Sequence, residues 1–191
     1  DIQRSRGLGD VYKRQDALGL SAIAVTDCNT LAGVVRAYRA AKETGIQLIV
    51  GSKLDIQDAP SLLCFPTDRN AYARLSQLIT LGRRRSPKGK CEIYLEDVFA
   101  YSKDQLFISL PSDAPGQDYT AHLNHLREVL GRDVWLAARC RYNGNDAERL
   151  WRLAQLSTTT NVPMVATNDV RMHVPERKPL MDVITLSLIH I

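Results

Sequence analysis

The residues of this chain best suited to chemistry stand at the ends of short apolar runs. Met164-Val-Ala166 leads into Asn168, Asp169, Arg171 and His173. Ser21-Ala-Ile-Ala-Val-Thr26 leads into Asp27, Cys28 and Asn29. Two further runs end on Gly51-Ser52-Lys53 and on the stretch from Arg139 to Asn143. Carboxylate, thiolate and imidazole are the ligand types of divalent metals. A hydrolytic metal cluster needs several carboxylates and neutral imidazoles to coordinate and neutralise its ions. Here Asp27 and Asp169 are the strong ligand candidates, with Cys28 available as a thiolate. Lys53, Arg141 and Arg171 cannot ligate while charged, and they repel a cation.

The elements that must position these groups alternate strand and helix. Strands are expected at Ser21–Thr26, Ile46–Val50, Leu62–Phe65, Leu106–Leu110, Val134–Cys140 and Met164–Ala166. Asn29 or Thr30 is suited to cap a helix with Leu31, Val34, Val35, Tyr38 and Ala41 on its apolar face. Gly45 is placed to end it. A second helix starts at Asp68 or Asn70, carries Tyr72, Leu75, Leu78 and Ile79 on one face, and closes at Gly82. The basic run Arg83-Arg-Arg-Ser-Pro-Lys-Gly-Lys90 then reads as a loop. A short helix falls within Ile93–Tyr101, a longer one spans Tyr119–Leu130, and Glu176–Ile184 starts a last one. Asn145 with Glu148 has the spacing of a capping box for another, with Leu150, Trp151, Leu153 and Ala154 inside. Trp135 falls at a core-type position as well. Strands separated by helices predict parallel βα units, so the polar strand ends would share one rim.

The bulk numbers fit one domain. The chain has 191 residues, 45% hydrophobic and 24% charged, with no apolar run near the ~20 residues of a membrane span. Its four cysteines form no CxxC pair, which argues against a zinc knuckle or disulfide scaffold and for a reducing cytoplasm. The phosphate-cradling patterns GxGxxG and GxxxxGK[ST] are missing. Residues 1–15 lack apolar periodicity and resemble translated sequencing-adapter sequence; residues 185–191 read as a similar non-native tail. The leader carries +2 of the net +4 charge, so the basic balance of residues 16–184 is a weak argument for nucleic-acid binding.

The run from Ala17 to Arg36, with Thr26-Asp27-Cys28 at its centre, resembles the second motif of the PHP (polymerase and histidinol phosphatase) domain. Leu81–Lys90 and Val165–Arg177 are similar to the N-terminal PHP domain of bacterial error-prone DNA polymerases, C-family homologues of the polymerase III alpha subunit. The resemblance implies a (β/α)7 TIM-like barrel, here a partial one over residues 16–184, truncated at its first strand and at its C-terminal end. It implies a parent DNA-directed DNA polymerase using Mg2+, with DNA, other polymerase domains and translesion or replication proteins as partners, in the cytoplasm. The family's metal-dependent phosphoesterase site lies at the strand ends, and this chain departs from it. No His-x-His strand is present; Thr-Asp-His reads Thr26-Asp27-Cys28; Gly-x-Glu reads Gly51-Ser52-Lys53; Asp-x-His reads Asp169-Val170-Arg171. A further histidine position falls near Arg141.

The expectation is therefore a degenerate site. Asp27, Cys28 and Asp169 are remnant positions without bound Zn2+ or Mn2+, and Lys53 and Arg171 are protein cations paired with the two aspartates. No catalytic residue or cofactor is expected within the chain itself. Arg83, Arg84, Arg85 and Lys88 are candidates for contact with DNA phosphates or a neighbouring domain, against the plainer reading of a solvated loop. His122 and His125 share a helix face, and a half-exposed helix surface explains them. His173 fits a role in the turn at Val174-Pro175. The alternatives are a stand-alone PHP phosphoesterase, which should retain the histidines and glutamate, and a binding domain without an attached enzyme.

Overall fold

A computed structural model describes residues 19–112, 115–140, 144–168, 176, 179–180 and 183. They divide into two compact units. Among the described residues, one unit holds residues 19–23 and Val34–Leu48, and the other holds Ala24–Gly33 with residues 49–112, 115–140 and 144–167. The fold is mixed α/β. Six strands form one sheet in chain order: β1 (Ala22–Cys28), β2 (Gln47–Leu54), β3 (Leu62–Pro66), β4 (Gln105–Ser109), β5 (Val134–Ala138) and β6 (Met164–Ala166). The helices are α1 (Val34–Thr44), α2 (Arg69–Arg85), α3 (Leu95–Ala100), α4 (Gln117–Leu130) and α5 (Asp146–Thr160).

The sheet is not wholly parallel, contrary to the expectation from sequence. β3 runs antiparallel to both β2 and β4, in register Leu54↔Leu62 and Leu62↔Ser109. The reason is local. Between β2 and β3 lie only residues 55–61, too few for the crossover that a parallel pair requires. β4–β5 and β5–β6 are parallel, each bridged by a helix. β1 and β2 run the same way, since the Gln47 amide donates to Ser21 and the Asn29 amide to Lys53. The C-terminal ends of five strands therefore still share one rim, and β3 starts there instead of ending there.

The core of the larger unit lies where this sheet meets α2, α4 and α5. Leu54, Leu62, Phe107 and Leu136 from the strands are fully buried with Leu75, Leu123 and Leu153 from the helices. Each such side chain contributes roughly 1.5–3 kcal/mol by leaving water. On α1 the apolar face differs from the expected one. Ala41 is buried as expected and Ala37 is buried with it, while Val35 and Tyr38 are 63% and 60% exposed. Trp151 is also outside, at 63% exposure, because α5 turns Arg149, Leu153 and Thr160 inward. Trp135 is half-buried.

Two glycines expected to end elements lie inside them. β2 continues through Gly51 to Leu54, and α2 continues through Gly82 to Arg85. A Cβ at Gly51 would come within 2.6 Å of the Phe65 ring, and one at Gly82 within 2.7 Å of Ile93 and 2.8 Å of the Cys91 sulfur. Both are sites of close packing, not breaks.

Candidate functional site

The rim is organised by the turn that follows β1. Asn29 has φ of +49°, a left-handed conformation that asparagine tolerates better than most residues. Its backbone amide donates to Lys53 O at 2.8 Å. Its side chain grips the backbone of Asp55 from both sides: Oδ1 accepts from the Asp55 amide at 2.9 Å and Nδ2 donates to the Asp55 carbonyl at 3.5 Å. Its own carbonyl accepts from Arg83 Nη2 at 3.0 Å. Asn29 is thus a buried polar residue, 9% exposed, satisfied on every side. The sequence presents it as a polar strand end and a helix-cap candidate, without its partners. The local turn is instead held by Thr30, whose Oγ1 accepts from the Ala32 amide at 3.2 Å.

Ser52 stands beside it on β2, fully buried. Its hydroxyl donates to Asp27 O at 2.9 Å, the shortest of three carbonyl contacts, the others being Thr30 and Lys53 at 3.4 Å. One hydroxyl has one proton, so the bond to Asp27 is the one made. The Asp27 carboxylate accepts the Gly33 amide at 3.0 Å through Oδ2. A Cβ on Gly33 would lie 2.3 Å from that oxygen. The carboxylate therefore closes its own loop. No ion pair joins it to Lys53 among the described residues, so the expected Asp27–Lys53 partnership is replaced by a backbone contact. Cys28 is exposed at the strand end. Partial burial and the Asp55 carboxylate push its thiol pKa up, and the Lys53 ammonium draws it back only in part.

The reversed β3 changes what reaches this rim. A helix after a parallel strand begins at the rim. α2 follows β3, so it begins at the far end and arrives with its C-terminus. That delivers Arg83 to Asn29 and places Arg83, Arg84 and Arg85 on the helix's last turn, where the dipole favours cations. The basic run is thus helix up to Arg85, with Ser86 as its C-cap, rather than a loop from Arg83. Arg85 pairs with both oxygens of Asp97, at 2.6 and 3.1 Å, and lies 5.2 Å from the centre of the Tyr94 ring. The side chains of Arg84 and Lys88 are exposed and make no hydrogen bond or ion pair with another described residue.

Farther along the rim, sequence reasoning missed Arg149. It is 5% exposed, donates to the carbonyl of Arg139 just past β5, and meets Asp146 at 3.3 Å. Its one sequence signal was an acid three residues earlier on a helix. At the end of β4, Ser109 and Tyr119 share a buried hydroxyl hydrogen bond of 2.7 Å. His122 lies against Tyr119, and His125 sits edge-on to Phe99. His122 Nε2 has no hydrogen-bond partner among the described residues, and burial lowers the pKa of its ring. The positions of Arg141, Asp169, Arg171 and His173 lie outside the described residues.

The described donors fit a metal poorly. An amide engages Asp27, and a lysine stands on the strand adjacent to Cys28. No three His, Cys, Asp or Glu side chains among the described residues gather as a metal group.

A mixed sheet backed by helices, with polar strand ends on one rim, matches an established class. The PHP domain model matches residues 6–155, and the chain belongs to that family. Its sequence is 46% identical over 171 residues to the error-prone DNA polymerase of Caulobacter vibrioides, covering 89% of this chain and 16% of the polymerase. It is 41% identical over 176 residues to error-prone DNA polymerase 2 of Agrobacterium fabrum, covering 92% of this chain and again 16% of the relative. The chain thus spans about a sixth of the length of these relatives. Among solved structures it resembles a protein from Bifidobacterium adolescentis described as a metal-dependent phosphoesterase, with TM-score 0.62 and 15% identity over 88% of this chain and 82% of the other. An amidohydrolase from Chromobacterium violaceum, solved with sulfate and no metal, gives TM-score 0.60 at 13% identity over 86% and 81%. These two likenesses speak to fold alone. No helix among the described residues is long and apolar enough to cross a membrane.

Proposed function

We propose that this chain is the N-terminal PHP portion of an error-prone DNA polymerase, part of a (β/α)7 barrel whose mouth has passed from metal ligation to internal bracing. Identity to whole polymerases supports the parent activity, DNA-directed nucleotidyl transfer with Mg2+, and the catalytic residues for it lie in other parts of the parent chain. The partners are then DNA, the other polymerase domains and the proteins of translesion synthesis, replication or repair, in the cytoplasm. In the sequence motifs of the family, Asp27, Cys28 and Asp169 fall at ligand positions, while Lys53, Arg141 and Arg171 are cations at ligand positions. Zn2+ and Mn2+ are not held there.

One observation carries the bracing role. The Asp27 carboxylate is engaged by the Gly33 amide, and it occupies the space that a Cβ at residue 33 would take. Arg83, tied to Asn29, and Arg85, tied to Asp97, support the same reading by facing the chain itself. Arg84 and Lys88 remain for DNA or a neighbouring domain.

Metal analysis of the purified parent polymerase tests the proposal. Zinc and manganese are expected well below one ion per chain. A stoichiometric, tightly bound ion that disappears with Asp169→Ala would show that the mouth still works as a metal site. A stand-alone phosphoesterase would hydrolyse p-nitrophenyl phosphate with added Mn2+, and no such turnover is expected.

A further inference from the structure

α1 turns an apolar pair outward. Val35 and Tyr38 lie one turn apart and share a face with Arg39 and Lys42, the i, i+3, i+4, i+7 pattern of a helix stripe. All four are exposed, while Ala37 and Ala41 on the opposite face are buried. The side chains of Arg39 and Lys42 make no hydrogen bond or ion pair with another described residue. Arg36 and Glu43 stand at the margin of the stripe with opposite charges. Leu20, where the chain enters β1, is exposed as well. A single outward apolar side chain is ordinary. A valine and a tyrosine on successive turns, beside two unpaired cations, have the pattern by which one helix docks against a partner.

Chain order indicates what covers it. α4 bridges the parallel strands β4 and β5, α5 bridges β5 and β6, and these two helices pack against each other. α1 bridges β1 and β2, which also run the same way. A parallel strand ahead of β1 would need its own crossover of roughly a dozen residues or more to reach β1. A helix in that crossover would stand to α1 as α4 stands to α5. The partial barrel proposed above lacks this unit, and residues 1–15, which take its place in the sequence, have no apolar period. Charge favours an acidic occupant over a second copy of the chain. Two copies would press four unpaired cations together, and like charges repel.

We propose that the stripe of Val35, Tyr38, Arg39 and Lys42 is the docking surface for a helix of the parent chain that natively precedes Asp16. That helix sets an apolar face on Val35 and Tyr38 and carboxylates against Arg39 and Lys42. The inference rests on reading the chain as part of a longer polymerase.

Hydroxyl-radical footprinting of the purified parent polymerase and of the 191-residue chain tests it, with circular dichroism to check that the shorter chain is folded. Tyr38 should be oxidised several-fold more slowly in the parent. Carbodiimide cross-linking of the parent, which joins an amine to a carboxylate in contact with it, needs no folded fragment. It should link Lys42 to an Asp or Glu in the stretch before Asp16. That native stretch should itself show apolar residues at i, i+3, i+4 and i+7 with acids beside them. Equal reactivity of Tyr38 in the two proteins overturns the proposal. So does a Lys42 cross-link found only beyond position 191, an upstream stretch without that pattern, or a slowly oxidised Tyr38 in a 191-residue chain that sediments as a dimer. A parent without template-directed DNA synthesis refutes the polymerase reading, whereas an active polymerase with a reactive Tyr38 refutes the docking alone.

Discussion

A methyl group on residue 33 would sit 2.3 Å from Asp27 Oδ2, closer than van der Waals contact allows. Gly33→Ala must push the exposed carboxylate off its amide partner, and the loss of that hydrogen bond should destabilise the fold by about 0.5–1.5 kcal/mol in urea titrations. Asp27→Asn keeps an acceptor oxygen at the same place and should cost less than about 1 kcal/mol. The opposite ranking would mean that the negative charge itself matters at the rim. His122 supplies a second test. Burial favours its neutral ring, so its folded-state pKa lies below the ordinary 6.5. As pH falls the unfolded chain takes up the proton first. The stabilisation is complete above about pH 6.5 and drains as pH falls through the folded value. His122→Gln should flatten that limb of the stability–pH curve, and an unchanged limb would assign it to other groups. Single residues of the rim were legible from sequence in kind but not in partnership. Asp27, Cys28 and Lys53 could be picked out as site positions. The role of Asn29 could not, because its partners Asp55 and Arg83 are 26 and 54 residues away.

Helix starts separate what spacing promises from what geometry delivers. Asp68 caps α2 by accepting the Ala71 amide at 2.6 Å. Asn145 has the sequence context of a cap, but its φ of −113° and ψ of 16° turn its side chain away from any cap bond. Asp68→Ala should therefore cost about 1 kcal/mol, while Asn145→Ala should be close to neutral. Equal losses in thermal melts would contradict this reading of α5. The positions of the strands were readable because each is a short apolar run. Their ends were not. Gly51 and Gly82 look like terminators in a list of residues, yet they are the points where Phe65, Ile93 and Cys91 press on the backbone. Such closeness depends on residues remote in sequence. The exposed Val35, Tyr38 and Trp151 show the same limit, since helical periodicity allows more than one apolar face and packing selects among them.

For the molecule as a whole, family membership was the most legible property, carried by a few dense motifs, and strand direction was the least. A repeating alternation of strand and helix hid one strand of opposite sense. The missing helix between Leu54 and Leu62 was the signal, and it marks the pair that the chain can assemble most locally. Parallel neighbours such as β5 and β6 must wait for a whole helix to bring them together, whereas β2 and β3 meet after residues 55–61. Closing a shorter loop costs less entropy, and short-range pairings form faster. The hypothesis that follows concerns time. In a refolding experiment with pulsed hydrogen exchange, the amides of Leu62–Phe65 should gain protection before those of Met164–Ala166. Protection appearing first in β6 would sink it. The strand that turns α2 around to face the rim would then also be the seed from which the sheet grows.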